Sequence, residues 1–504
     1  MHVGMPFKVL RVMCALFRLL FPALPLFLLT GIRPDTIPSK QGCPDTPARL
    51  AYTFRMDTTS ASVFVRGRLE TPPCTPLRFR HPARLGPYPL QLITDVSFRD
   101  ERRELHPVSD GPGTWILQDV HGTLHFSYRV RTDRDAHALP EDNVWQSVMP
   151  YADSSRLYLT RYAFLWPEGI PLHPAISLTW DVPEEWTVVT PWSSDRRSVE
   201  APGLYALLKN YFVAFRTGDV QTRRIGQTNV TLAWTGPGTL AEPVANQMMQ
   251  VIRTVLDLEP GGFGTHLTFL LHDTSRRGIM TGGTAGASSI QLQFPHGLPL
   301  TRMWPYAGEH ILRIMAHELI HTWTYAREQA LPHPAPLPVE WDTPMCWMRE
   351  GVTEYLAHLA LLDAGLLTPE ALSRNLQRMT RLARGQDPEG AWTLQDACEQ
   401  YYDNPAAFYY TYYEGMRFAF YLDMALRQHS NGHKTLRGFM QAFIPLHRGV
   451  EKSFPRFRSA WQAYAPAPID SVEGLLARQG NTDLTPYLRA PFALPAPEST
   501  PEQP

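Results

Sequence analysis

Between about Ala48 and Thr217, apolar and polar residues alternate in short runs, among them Ala51-Tyr-Thr-Phe-Arg, Ser62-Val-Phe-Val-Arg, Leu124-His-Phe-Ser-Tyr-Arg-Val and Ile176-Ser-Leu-Thr-Trp. A period of two sends alternate side chains to opposite faces, so each run predicts a strand with one face in a core. Pro, Gly and Asp clusters separate the runs, which together predict an antiparallel β-sandwich. The tract Gly226 to Thr235 reads as one more strand. After Gly236-Pro-Gly the period lengthens. Val244, Met248, Val251 and Val255 recur at helical spacing over 241–258, and Leu267-Thr-Phe-Leu-Leu reads as a buried strand. The glycine-rich turn Thr281-Gly-Gly-Thr-Ala-Gly-Ala leads into a further strand at Ser288-Ser-Ile-Gln-Leu-Gln-Phe. From Tyr306 to about Gly480 the pattern is mainly helical, with a proline-rich interruption at Leu331 to Pro338.

This division predicts an α+β multidomain chain: a β-sandwich over 45–235, a second and mostly helical domain over 238–489, and a tail over 490–504 too poor in apolar residues to pack. Residues 1–40 stand apart. Lys8, Arg11 and Arg18 precede the apolar run Leu19 to Leu29, and only 14 uncharged residues separate Arg18 from Arg33. A spanning helix needs about 20, so the segment reads as a secretory signal with a long basic start. No small-x-small cleavage site follows it, which keeps an uncleaved membrane anchor as the alternative. In both cases the body of the protein is expected to be secreted, periplasmic or otherwise extracytoplasmic.

Composition narrows the partners. The 504 residues are 44% hydrophobic and 19% charged, with a net charge of −1, so large cores are affordable and nucleic acid is not an expected partner. Lysine occurs only at Lys8, Lys40, Lys209, Lys434 and Lys452; the other basic residues are arginine. Outside the N-terminal segment stand Cys43, Cys74, Cys346 and Cys398, for which 43–74 with 346–398 is the sequence-local pairing and four unpaired thiols the alternative.

The chemistry concentrates in Ile314-Met-Ala-His317-Glu318-Leu-Ile-His321-Thr-Trp, an H-E-x-x-H within helical periodicity. Two histidines four apart share one helix face and can grip one cation, while the intervening glutamate can serve as general base toward an attacking water. Zn²⁺, one per chain, is the expected ion. The apolar flanks imply a buried helix, where unpartnered histidines would be costly. Two glutamates compete for the third ligand position. Glu340 follows His321 after 18 intervening residues but ends the proline-rich segment; Glu350 follows after 28 and lies in the helical run Trp347-Met-Arg-Glu-Gly-Val-Thr-Glu354-Tyr. Regular elements hold ligands more tightly than loops, so Glu350 is preferred, with Glu354 and Glu340 as alternatives. Glu354 is otherwise expected to be a supporting or surface carboxylate, His310 a solvated or capping residue at a helix start, and His358 a surface group.

Ala316-His-Glu-Leu-Ile-His-Thr-Trp, the longer spacing to Trp347-Met-Arg-Glu-Gly-Val-Thr-Glu-Tyr, and the downstream runs Tyr409-Tyr-Thr-Tyr-Tyr-Glu-Gly-Met, Tyr421-Leu-Asp-Met-Ala-Leu-Arg and Lys434-Thr-Leu-Arg-Gly-Phe-Met resemble the glycyl aminopeptidase family of zinc metallopeptidases. The resemblance covers most of the chain up to about Arg489. It implies a β-sandwich ahead of a thermolysin-like catalytic domain, His317, His321 and Glu350 as zinc ligands, and Glu318 as general base. It also points to Tyr412, three residues before Gly415, as the phenol that stabilises the oxyanion, with Tyr413 next. Two departures matter. Where the family carries Gly-Gly-x-Glu-His on the cleft strand, this chain has Gly282, Gly283, Thr284, Ala285 and Gly286, so alanine replaces the carboxylate that contacts the substrate's amine. The strand can still pair with an extended peptide, but selection of a free N-terminus should weaken. The tail after about Arg489 is expected to be too short for the C-terminal PDZ domain that many relatives carry. The expected function is hydrolysis of a peptide or protein substrate; the alternatives are a catalytically silent peptide-binding relative and a hydrolase of a non-peptide amide or ester. Retention of Glu318 argues against a binding-only role.

Overall fold

The computed structural model describes residues 47–465, apart from breaks at 58–61, 71–75, 86–87, 134–138, 140–145, 147, 171, 174, 195, 276–281, 296, 326–344, 402 and 448–452, together with residue 476. The described residues all belong to one compact unit, which begins at Pro44. The N-terminal apolar segment, Cys43, Cys74, Glu340 and the C-terminal tail lie outside them. Among the described residues no helix is long and apolar enough to cross a membrane.

The alternating runs form the β-rich part. A seven-stranded sheet runs Ser198–Ala201, Ile176–Asp181, Arg49–Asp57, Ser62–Glu70, Thr123–Arg131, Ile93–Arg99, Glu104–Leu105. Its pairs are antiparallel except one: Arg49–Asp57 lies parallel to Ile176–Asp181. That pair departs from the antiparallel expectation, because alternation along a strand reports its buried face and carries no information on its neighbour's direction. A four-stranded sheet (Trp166–Glu168, Leu77–Arg80, Thr114–Leu117, Val108–Ser109) covers the inner face, with Phe79 packing on Phe126 at 5.0 Å between ring centroids. Phe126 lies opposite Gly67 in register, and a Cβ at Gly67 would overlap its ring.

A third sheet (Tyr151–Asp153, Arg156–Leu159, Phe212–Phe215, Thr187–Thr190, Ser193–Ser194) joins this part to the next. Tyr158, Val189, Tyr211, Val213 and Phe215 share one apolar cluster with Ala233 and Leu270. Between them, helix α1 (Leu204–Leu208) leads into Asn210, whose Oδ1 accepts from the Ser288 amide at 2.8 Å and the Ser289 hydroxyl at 2.9 Å.

The second part opens with a five-stranded mixed sheet in the order Asp219–Ile225, Thr228–Trp234, His266–Ser275, Ser289–Pro295, Gly282–Ala285. The central pairs are parallel and Gly282–Ala285 pairs antiparallel at the edge. Helix α2 (Glu242–Leu256) buries Val244, Met248, Val251, Ile252 and Val255, one stripe at 3.6-residue spacing. Helix α3 (Leu300–Tyr325) begins six residues before the Tyr306 expected from sequence. It runs through Pro305, and the carbonyl that this proline leaves without an intrahelical donor belongs to exposed Thr301. A π-helical turn, Met348–Val352, continues into α4 (Thr353–Asp363), followed by α5 (Pro369–Gln386), α6 (Leu394–Glu399), α7 (Pro405–His429), α8 (Leu436–Leu446) and α9 (Phe454–Tyr464). Cys346 and Cys398 form a disulfide that ties the π-helical turn to α6.

Two buried histidines make the fold sensitive to acid. Burial drops the imidazoles of His81 and His272 to about 4, against the opposing hydrogen bonds to the Tyr162 carbonyl (2.9 Å) and Gln291 Oε1 (2.6 Å). Protons then bind the unfolded chain first, so the stability these rings contribute is full above about pH 6.5 and is lost as the pH falls toward 4. Each ring should remove about 2 kcal/mol between pH 8 and 5, read as a falling urea midpoint. A midpoint unchanged over that interval would show that neither ring is held neutral.

Candidate active site

The amphipathic logic of α3 puts Ile311, Met315, Leu319 and Trp323 into the core and leaves His317 and His321, one turn apart, on the neighbouring face, both buried. Their Nε2 atoms stand 3.0 Å apart. Glu350, from the π-helical turn, brings Oε2 to 3.2 Å from His321 Nε2 and 3.4 Å from His317 Nε2. One donor atom from each of the three lies within 4.8 Å of the others.

Each donor is held from behind. Glu354, one turn beyond Glu350, accepts from His317 Nδ1 at 2.9 Å and is itself paired with Arg313. The acceptor fixes the ring's proton on Nδ1 and leaves Nε2 to face the cluster. Glu350 Oε1 accepts from Arg349 Nε at 2.8 Å and the Tyr401 hydroxyl at 3.0 Å, so Oε2 is the oxygen turned to the histidines. The surroundings favour positive charge at this point. Burial opposes charge on His317, yet hydrogen bonds to Glu350 and Glu354 push its imidazole up to about 10. Burial would likewise raise Glu350, but His321, Arg349 and both histidine hydrogen bonds hold it well below the usual carboxylate range. Two imidazole nitrogens and one ionised oxygen around a spot that favours positive charge are a donor set suited to Zn²⁺.

Glu318 follows His317 and turns toward the edge strand Gly282–Ala285. A Cβ at Gly283 would stand 2.6 Å from Glu318 Cγ and 2.9 Å from Ile314 Cγ2, so glycine is required for this approach. Burial raises the Glu318 carboxyl, while His317 and His321 and a hydrogen bond from the Ala285 backbone act in the other direction. Tyr412, on α7, stacks over His317 with ring centroids 5.4 Å apart. Burial, Glu350 and Tyr401 raise its phenol well above the usual tyrosine range, so it keeps its proton and can donate. Tyr413 stacks instead on Tyr409 and does not line the cavity. The helices meet closely here: a Cβ on Gly351 would overlap the Gly415 backbone.

Glu318, His321, Glu350 and Tyr412 border a cavity of about 310 Å³, which His317 does not line. Gly283, Thr284, Ala285, Glu318, His321, Glu350 and Tyr412 line it together with Thr160, Arg161, Lys209 and Tyr211 from the β-rich part. Gly282 is not among the lining residues. One expectation needs correction. His358 is fully buried, 1% exposed, with Nδ1 facing the Glu354 carbonyl at 2.9 Å. Helix α4 is buried on every side, so its sequence had no polar face from which to read the histidine's position. His310 is exposed as expected, but it lies more than two turns inside α3 and caps nothing. Sequence reasoning missed Arg313, Arg349 and Tyr401, and also the cleft wall from the β-rich part. Arg349 and Arg313 stood beside recognised residues; Tyr401 and the far wall carried no local signal.

Residues 310–425 match the M61 glycyl aminopeptidase family. That stretch holds both histidines, Glu318, Glu350, Glu354, Tyr401 and Tyr412, while the edge strand lies before it. The crystal structure of an aminopeptidase N family protein from Idiomarina loihiensis shares the fold, with a TM-score of 0.69 over 87% of this chain and 78% of that one at 18% identity. No curated protein matches the chain. Over residues 310–425 the chain is thus similar to the M61 family, and with the Idiomarina loihiensis protein it shares the fold.

Proposed function

We propose that the chain is a zinc-dependent peptidase whose centre is His317, His321 and Glu350. The observation that carries this reading is the convergence of those three donors beside Glu318, with Glu318, His321 and Glu350 lining a cavity that Gly283 to Ala285 of the edge strand also line. When bound, zinc supplies Lewis acidity that polarises the scissile carbonyl and makes water acidic enough to attack near neutral pH. Glu318 takes the proton from the attacking water and returns it to the departing amine as the C–N bond breaks. Tyr412 donates a hydrogen bond to the oxygen on which negative charge builds. Backbone groups of Gly283 to Ala285 hold an extended peptide as an added strand. Ala285 offers that peptide a methyl group and no anion for a free amine, so this peptidase does not depend on an N-terminus. The Lys8 to Leu29 pattern and the Cys346–Cys398 disulfide favour an extracytoplasmic setting.

The test is hydrolysis of an unselected peptide mixture by the purified protein, stopped by a chelator and restored by added zinc. Tyr412→Phe should lower kcat by roughly 10²-fold with KM little changed. Failure to cleave any peptide with zinc bound would overturn the reading in favour of a silent binding relative.

A further inference from the structure

Tyr401 is buried, yet it lines the cavity together with Glu350 and Tyr412. Its ring is held by two neighbours. The Arg349 guanidinium lies over it, 4.6 Å from the centroid, and Phe408 packs on it at 4.9 Å. Phe408 also packs on Tyr412, at 5.0 Å, so one ring is shared by the two phenols. The backbone is held as well. Glu350 follows Cys346 by four residues and Tyr401 follows Cys398 by three, so the disulfide joins the two segments that carry them. Beside it the Trp347 amide donates to Cys398 Sγ at 3.1 Å.

The hydrogen bonds among these groups have a direction. A phenol has a single proton to give and lone pairs with which to accept. Burial opposes charge on Glu350, but His321 and Arg349 keep it ionised, so its Oε1 only accepts. The Tyr401 proton therefore goes to Glu350, over 3.0 Å, and the Tyr401 oxygen is left to accept. Burial is the main reason that Tyr412 keeps its proton, and a side-chain hydrogen bond shared with Tyr401 acts the same way. A bond that favours the protonated phenol is one that the phenol donates. Tyr412 thus donates to Tyr401, and Tyr401 to Glu350. Each bond in such a chain polarises the next. Stacking on His317 fixes the Tyr412 ring but not the direction of its hydroxyl hydrogen, which rotates about its bond. An oxyanion accepts more strongly than a neutral phenol, so Tyr412 can exchange Tyr401 for the oxyanion as charge builds.

We infer that Tyr401 is a positioning residue, which aims the Tyr412 hydroxyl and couples it to Glu350. The inference rests on the peptidase reading and adds to it a link between the metal end of the cleft and the oxyanion donor. Tyr401 touches neither substrate nor the reacting atoms; it acts through the two groups that do.

The test is a double-mutant cycle on the full chain with Tyr401→Phe, Tyr412→Phe and the two combined. Tyr401→Phe keeps the ring that Arg349 and Phe408 hold and removes only the hydroxyl. At saturating zinc it should lower kcat about tenfold with KM little changed, and kcat of the combined variant should equal that of Tyr412→Phe alone. A residue that only supports Glu350 would weaken zinc binding and leave the zinc-saturated kcat unaltered. That result, or losses that multiply in the combined variant, would overturn the inference. Competitive zinc titration of the same proteins gives a second cycle that needs no substrate. Tyr401→Phe should weaken zinc binding about tenfold, and Tyr412→Phe roughly twofold through the polarised chain. Once Tyr401→Phe is present, adding Tyr412→Phe should change nothing further. Zinc affinity untouched by Tyr412→Phe, or lowered equally in both backgrounds, would overturn the coupling. This second cycle decides the inference even if no peptide is cleaved, so its failure is distinct from failure of the peptidase reading.

Discussion

Glu318→Gln is expected to lower kcat by roughly 10³-fold or more while leaving zinc content and melting temperature unchanged. The substitution keeps the side chain's shape. Its amide oxygen can still accept from the Ala285 backbone, and its methylenes still fill the space that Gly283 leaves open. What it removes is the ability to take a proton from water. A shape-changing substitution such as Glu318→Ala would confound chemistry with packing under the edge strand. Kinetics on one good peptide substrate, with metal analysis of the same preparation, checks the prediction. A Gln variant that keeps more than a tenth of the activity would mean that water is activated by another group.

The second large effect concerns a position remote from the chemistry. Gly351→Ala should destabilise the protein by about 3 kcal/mol and weaken zinc binding by at least about tenfold, the scale seen when a ligand's support is lost. Glu350 reaches the histidines because the π-helical turn lies backbone to backbone on α7, with Gly351 facing Gly415. An added methyl has only backbone to meet, so the turn must move outward and take Glu350 with it. Gly415→Ala should be milder, since its Cβ would stand 2.9 Å from Gly351 Cα and 3.2 Å from the Trp347 carbonyl. Urea unfolding and competitive zinc titration of the two variants give the order directly. Equal or negligible effects would show that the glycine pair does not position the ligand.

That contact also explains a motif that sequence alone could describe only by likeness. Tyr412 and Gly415 are three apart on α7, so the tyrosine that stacks on His317 and the glycine that admits Gly351 belong to one helix face. The convergence of His317, His321 and Glu350 was legible because each lies in a run of strong helical period. The strands near Ala51, Ser62, Leu124 and Ile176 were legible for the matching reason, a period of two. What could not be read depended on contacts between distant segments. The parallel pairing of Arg49–Asp57 with Ile176–Asp181 joins strands more than a hundred positions apart in the chain. Tyr401 reaches Glu350 through a disulfide-tied loop, and Arg161 and Lys209 arrive from a short helical turn and a helix end in the β-rich part. On α4 the local signal failed for His358: a helix buried all round has no polar side from which to place it, whereas Glu354 takes the supporting place expected of it. Glu354 and Arg313 instead form the support that fixes the tautomer of His317.

The most direct test of the account is elemental analysis of the purified chain beside His321→Ala and Glu350→Gln. The account predicts about one zinc per chain in the unaltered protein, as a single two-histidine, one-glutamate centre requires, with most of it lost from both variants while their far-ultraviolet spectra stay unchanged. Unaltered protein that takes up no zinc, or a His321→Ala protein that holds a full equivalent, would contradict it.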